Sequence, residues 1–229
     1  MKKLLFTSLI FILIINGIKA EQTKVFSIGP NLGYKAGVSA INTPLGRKNG
    51  LSFNNIPDFG VCSYFPLSKN ENIGFKFDIS YSSYSYMMIS AHKDKTEYKL
   101  SHNYLSFAPN FYFNNFLLGF SYLVPLNSEV EGSDIKTKIQ NNVLELKIGY
   151  EFPIYVDNSG ELNGFVSGGY FLSGVYNNFP KNDPLKSLLP ADEKVTNIHN
   201  PRIASIQIGF NFMFNLIEKP KPEIPEDIY

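Results

Sequence analysis

The chain has no tryptophan, one cysteine (Cys62) and three histidines among 229 residues. A single thiol can form neither an intramolecular disulfide nor a paired-cysteine metal site. Basic and acidic residues nearly cancel, at 21 against 20, so the excess of positive charge that marks a nucleic-acid-binding surface is missing and no nucleic-acid partner is expected. After Ile15 no apolar run approaches the roughly 18 residues of a membrane helix, which excludes helical spans from the rest of the chain. The histidines show no ligand spacing within one element, and no helix start follows Gly168-Gly169 to make a phosphate cradle. Neither a metal nor another cofactor is therefore expected.

What is present begins with an address. Lys2 and Lys3 precede an apolar run from Leu4 to Ile15, Asn16 and Gly17 break it, and Ala20 offers a small residue for cleavage. That order predicts a secretory signal peptide over residues 1–20 and export of the remainder. Residues 24–214 then read as one β-domain and residues 215–229 as an extended periplasmic tail, with Pro220, Pro222 and Pro225 among Lys and Glu. Twenty Phe, fourteen Tyr and seventeen Gly favour strands over helices.

Period-two alternation occurs in eight segments. Phe26, Ile28, Leu32, Tyr34, Ala36 and Val38 oppose Ser27, Gly29, Asn31, Gly33 and Lys35. Phe59, Val61 and Phe65 oppose Asp58, Gly60, Cys62 and Tyr64; Phe75, Phe77 and Ile79 oppose Lys76, Asp78 and Ser80. Leu105, Phe107 and Phe111 oppose Tyr104, Ser106, Ala108 and Asn110, and Leu118, Phe120 and Tyr122 oppose Gly119 and Ser121. Leu144, Leu146, Ile148 and Tyr150 oppose Glu145, Lys147, Gly149 and Glu151. Val166, Tyr170 and Leu172 oppose Ser167, Gly169 and Ser173, and Ile206 to Phe214 closes the series.

The connections alternate in length. Ser68–Asn72, Asn114-Asn115 and Tyr155–Asn163 are short; Ala40–Ile56, Met87–Asn103, Asn127–Asn142 and Tyr176–Pro201 are long and polar. Pairing Phe113 with Phe116 across the Asn-Asn turn aligns Phe111 with Leu118 and Phe107 with Tyr122, so the apolar faces coincide. Pairing Phe65 with Phe75 does the same for the preceding hairpin and sets Cys62 opposite Asp78.

Periodicity alone leaves open whether the apolar face points inward, as in a lipocalin-like soluble binder, or outward to lipid. The polar face decides it. It carries Gly, Ser, Asn and a few charges of both signs, which suits the crowded lumen of a narrow barrel better than a water-facing sheet. About ten residues per tilted strand give an apolar band of about 25 Å. The expected fold is all-β: a closed antiparallel transmembrane barrel of about eight strands in an up-and-down meander, in outer-membrane lipid. Pro30 and Pro109 fall inside strands and point to local irregularities, since a closed barrel has no edge.

The stretches Gly33-Tyr34-Lys35-Ala36-Gly37-Val38-Ser39 and Asn103-Tyr104-Leu105-Ser106-Phe107-Ala108-Pro109 resemble the PorT-like outer-membrane β-barrel family, which is akin to small OmpA-type barrels. The last strand, Ile206 to Phe214, is similar to the aromatic-ended signal read by the barrel-assembly machinery. The resemblance implies an integral bacterial outer-membrane location and that machinery as a partner. It implies no activity.

The candidate site is the set of inward charges Lys35, Asp58, Lys76, Asp78, Glu145, Lys147, Glu151 and Arg202. Ionised groups in a narrow lumen require partners or water, so these residues predict a salt-bridged polar network. It acts either as a structural filling or as a gate whose rearranged pairs open a small ion path. His92, His102 and His199 lie in or beside long loops and could be combined with Ser101, Asp134 or Asp192 into a hydrolase or acyltransferase, but no spacing enforces it. Tyr81, Tyr84, Tyr86, Met87 and Met88 read as an interfacial girdle, or else as a ligand surface. The sequence thus predicts a non-enzymatic barrel with a structural or loop-displaying envelope role, with partners met through loops or tail. The alternatives are a porin-like channel for ions or small solutes and a soluble binder.

Overall fold

The computed structural model describes residues 24–41, 47–67, 71–90, 95–130, 133–135, 139–157, 159–179, 181–182 and 200–217. The expected signal peptide, residues 218–229 of the tail, His92, His199 and Asp192 lie outside the described residues.

The strands are β1 (Lys24–Ser39), β2 (Arg47–Phe53), β3 (Asp58–Pro66), β4 (Ile73–Ser90), β5 (Glu97–Phe113), β6 (Phe116–Val130), β7 (Ser133–Ile135), β8 (Val143–Val156), β9 (Gly160–Phe171) and β10 (Ile203–Ile217), and all but β2 and β7 form on the eight alternating segments. All named pairings are antiparallel. Eight strands close a ring in the order β1, β3, β4, β5, β6, β8, β9, β10 and back to β1. Closure leaves no unpaired sheet edge around the ring. Phe65 pairs with Phe75, Cys62 with Asp78, Phe113 with Phe116 and Phe107 with Tyr122, as the alternation requires.

Two strands occupy segments expected to be loop. β2 lies between β1 and β4, pairing Gly37 with Ser52 and Leu51 with Tyr86, so it continues the wall beyond β3 at the long-loop end. β7 folds back on β6. The expected loop Met87–Asn103 shrinks as well, because β4 and β5 stay paired as far as Ile89 and Glu97. At the other end β10 runs on to Ile217, since Asn215 and Leu216 pair with Ser27 and Phe26, so the expected tail begins as strand.

Pro30 and Pro109 make gaps rather than bulges. The β1–β10 ladder skips Gly29 and Pro30 and resumes in the same register at Asn31; the β5–β6 ladder skips Ala108 and Pro109 and resumes at Asn110. Each proline stays paired on its other side, with Val61 and Phe77 respectively. A missing N–H thus costs one ladder a bond and leaves the neighbouring ladder intact.

The short turns lie at one rim. Asn114 and Asn115 adopt φ of 47° and 74°, the left-handed region that a two-residue hairpin demands and that Asn tolerates. At the 157–159 turn the Asp157 carboxylate accepts from the Ser159 amide (2.8 Å) and hydroxyl (2.7 Å) and the Gly160 amide (2.8 Å). The Ser159 hydroxyl and then these amides hold the Asp157 carboxyl below its ordinary pKa.

The outer surface of every ring strand carries large apolar side chains in one phase. Leu32, Phe59, Phe75, Phe111, Leu118, Ile148, Val166 and Phe210 are all exposed there. The opposite phase is buried inside the ring.

Candidate functional site

The inward phase changes character along the barrel axis. From the short-turn rim to the middle it is polar and charged; toward the long-loop rim it is aromatic and apolar.

The polar part is organised around two ion pairs. Lys35 of β1 places its ammonium 2.7 Å from Asp58 Oδ2, donates to Ser82 Oγ (2.7 Å) and sits 3.5 Å above the Tyr84 ring centre. Asp58, at the start of β3, also accepts from the Ser82 hydroxyl (2.8 Å), the Ser83 amide (2.8 Å) and Gln207 Nε2 (3.1 Å). Each buried charge therefore meets an opposite charge and further donors or acceptors, the condition under which such a pair is tolerated. Nearer the short-turn rim Lys76 of β4 is paired with Glu151 of β8, and Asn211 donates to the same carboxylate (2.8 Å).

The other charges are held differently. Glu145 has no ion pair among the described residues and accepts from the Tyr84 hydroxyl (2.7 Å). Room for it comes from Gly169, where a Cβ would stand 1.9 Å from Glu145 Oε1. Asp78 accepts from Asn110 (3.2 Å). Lys147 is half-buried and makes no ion pair among the described residues. Arg202 is not part of the network: it precedes β10 at the long-loop rim, half-buried, and its contribution there is a carbonyl that accepts from the Ala40 amide (2.8 Å). Alternation does not extend past the strand end, so its phase could not be read from the sequence. Seven of the eight expected charges thus face the lumen, and four of them form ion pairs.

Sequence reasoning placed the neutral partners on the inward face but did not name them as part of the network. Ser82, Gln207, Asn110 and Asn211 are all buried and inward, in phase with the charges. That phase was the available signal.

The second part of the lumen is a plug. Tyr84, Tyr86, Met88, Leu100, Tyr104, Leu123, Val130, Val143, Phe171, Val175, Tyr176 and Ile203 form one buried apolar cluster. Tyr84 and Tyr86 are 2% and 0% exposed, so they are neither a girdle nor an open ligand surface. They share the inward phase of Lys76, Asp78 and Ser82 on β4, as does Met88, while Tyr81 and Met87 lie in the opposite phase, Tyr81 stacked on Phe59 at 5.1 Å. Edge-to-face contacts tie the plug across the barrel, Tyr84 to Phe171 at 4.8 Å and Tyr104 to Phe171 at 6.1 Å.

His102 is a strand residue of β5 inside this plug and is fully buried. Its Nδ1 lies 2.8 Å from Ser128 Oγ and its Nε2 3.3 Å from the Tyr176 hydroxyl. The expected loop position was wrong because the β4–β5 hairpin extends well past Tyr104. Ser101 bonds the Ser85 hydroxyl (3.0 Å) and not a histidine. A Ser–His pair sealed in a packed core gives substrate no approach. Among the described residues no group of three or more His, Cys, Asp or Glu could hold a metal.

Cys62 is fully buried, with Sγ 3.1 Å from Met213 Sδ and 3.4 Å from the Gly29 carbonyl oxygen, and fills a gap near the short-turn rim. Among the described residues, two small cavities of about 40 and 50 Å³ lie below the plug. The first is lined by Asp58, Asp78, Ser121, Lys147 and Gln207 among others, and the second by Tyr64, Glu71, Tyr112 and Glu161. Lys76 and Glu151 line both, so their ion pair partitions them.

No family model and no curated protein matches the chain. The PorT-like likeness therefore stays a resemblance. Among solved structures the chain is similar to Neisserial surface protein A, at 13% identity and a TM-score of 0.41 over 83% of this chain and 97% of that one. It is similar to the outer membrane protein OprG from Pseudomonas aeruginosa, at 8% identity and a TM-score of 0.42 over 86% and 99%. A third likeness is to the outer membrane protease OmpT from Escherichia coli, at 10% identity and a TM-score of 0.30 over 89% and 99%.

Proposed function

We propose that the chain is an integral protein of the bacterial outer membrane, exported by a cleaved signal peptide over residues 1–20, that serves the envelope structurally or displays its long-loop end to partners. The observation that carries this reading is the pairing of an apolar exterior with a filled lumen on one closed ring. Bulky Phe, Leu, Ile and Val cover the outside of all eight ring strands. In water that would be an apolar surface far beyond the few hundred Å² a monomer exposes; in a bilayer it is the required surface, and closure satisfies the backbone there. A lipocalin-like binder needs the reverse, an apolar cavity and a wet exterior.

The same lumen weighs against an enzyme and against a channel. Among the described residues the buried Ser128–His102 pair has no acid partner and no access, and solute flow would have to displace Tyr84, Tyr86, Phe171 and Tyr176 together. In this reading the last strand, with Ile206, Ile208, Phe210 and Phe214 facing out, is the segment offered to the barrel-assembly machinery.

Cell fractionation with a heat-modifiability gel tests the proposal. The protein is expected in the outer-membrane fraction, with a folded form whose mobility changes on boiling. Recovery from the soluble periplasm with unchanged mobility would overturn it.

A further inference from the structure

The expected lumen charges are four carboxylates, Asp58, Asp78, Glu145 and Glu151, and three ammonium groups, Lys35, Lys76 and Lys147; Arg47 is also buried, against Met88 of the plug, and Glu161 lines the second cavity. Two of each are used in ion pairs. Of the other two carboxylates, Glu145 accepts from the Tyr84 hydroxyl, whereas Asp78, 8% exposed, accepts from Asn110 through Oδ2 and its Oδ1 has no partner among the described residues. Two nearby buried oxygens are in the same position, Asn110 Oδ1 and Ser121 Oγ. A buried acceptor left unmatched costs roughly 1–3 kcal/mol, so three together call for a common partner.

Register places the three residues side by side on neighbouring strands, with Asp78 and Ser121 lining one cavity and Asn110 next to Asp78. Asp78 pairs with Ala108, and Asn110 follows on the same inward face of β5. Asn110 pairs with Gly119, and Ser121 is the next inward residue of β6. The Ala108 methyl is thus a floor between Asp78 on one flanking strand and Ser121 on the other, with Asn110 on one side along β5 and Ser106 on the other. A larger residue there would fill the depression. Asp78, Ser106 and Ser121 all line the cavity of about 40 Å³, which has space for a small ion or a few waters.

The donor atoms are all oxygen and include one full negative charge, the set that hard cations select. We infer that the cavity wall of Asp78, Ser121 and Ser106, with Asn110 holding the Asp78 carboxylate from behind, binds a small inorganic monovalent cation of about the size of sodium, which reaches it from the short-turn mouth. The approach runs through the second cavity and past the Lys76–Glu151 pair, the shared wall; the plug closes the other end. Lys147 and Lys76 line the same cavity and oppose the ion electrostatically, Lys76 being offset by its pairing with Glu151. The site rests on the barrel fold and not on the envelope role, so it can be tested on refolded protein whatever that role proves to be.

The test is a sodium titration of the detergent-refolded full barrel, with ionic strength held constant by choline chloride and ²³Na line width as the readout. Saturable broadening is expected, displaced by potassium and not by choline. Asp78→Asn should weaken it roughly tenfold or more, since it removes the only carboxylate of the set. Ser121→Ala should weaken it severalfold, and it carries the test should Asp78→Asn fail to refold. Line width independent of the protein, or broadening unchanged in both variants, would mean that the cavity holds water alone and would overturn the proposal.

Discussion

The two halves of the lumen are lined by the same strands in the same phase, yet they are filled on opposite principles. Toward the short turns the interior is a set of charge pairs with amide and hydroxyl partners, with Lys35 on Asp58 and Lys76 on Glu151. Toward the long loops it is packed Tyr, Phe, Leu and Val. Tyr84 is the junction: its ring packs on Phe171, its hydroxyl bonds Glu145, and the Lys35 ammonium lies over its face. The difference teaches that alternation in a barrel strand specifies a face and not a chemistry. The polar half costs desolvation and tolerates residual space, whereas the plug excludes water and makes the seal.

The comparison can be broken most severely at the polar end. Lys76→Met leaves the Glu151 carboxylate buried with only Asn211, and should destabilise the barrel by about 3–5 kcal/mol. Adding Glu151→Met should restore most of that loss, measured by urea unfolding in micelles. In the plug Leu123→Ala should cost about 3 kcal/mol through a cavity, and the charge logic of the first pair offers no second substitution to rescue it. His102→Phe keeps the ring and removes the partner of the Ser128 hydroxyl; about 1–2 kcal/mol is expected on the same assay. The smallest effect belongs to neither half. Asn114→Ala at φ 47° should cost about 1 kcal/mol, and Asn114→Gly should be near neutral.

Much of this was legible in the residues. The Phe65–Phe75 and Phe113–Phe116 registers, the inward phase of Lys35, Asp58, Lys76, Asp78, Glu145, Lys147 and Glu151, and Cys62 opposite Asp78 all follow from alternation and turn chemistry. The plug did not. A tyrosine suits a membrane interface and a packed core equally well, and period two does not tell how far a strand continues past the bilayer, so Tyr84, Tyr86 and His102 were given the wrong surroundings. β2 was hidden for a related reason. Its partners come from β1 and β4, and a strand of seven residues with Arg47, Lys48 and Asn49 has no local pattern to announce it. Arg202 shows the limit from the other side, since phase cannot be extrapolated beyond the last paired residue.

The division of the lumen into a blind polar vestibule and a sealing plug is tested most directly by conductance in planar lipid bilayers. The wild-type barrel is expected to show no steady single-channel openings, and Tyr86→Ala/Phe171→Ala/Tyr176→Ala in one chain to show them. Steady openings of the wild-type protein, unchanged when those three side chains are removed, would contradict the account.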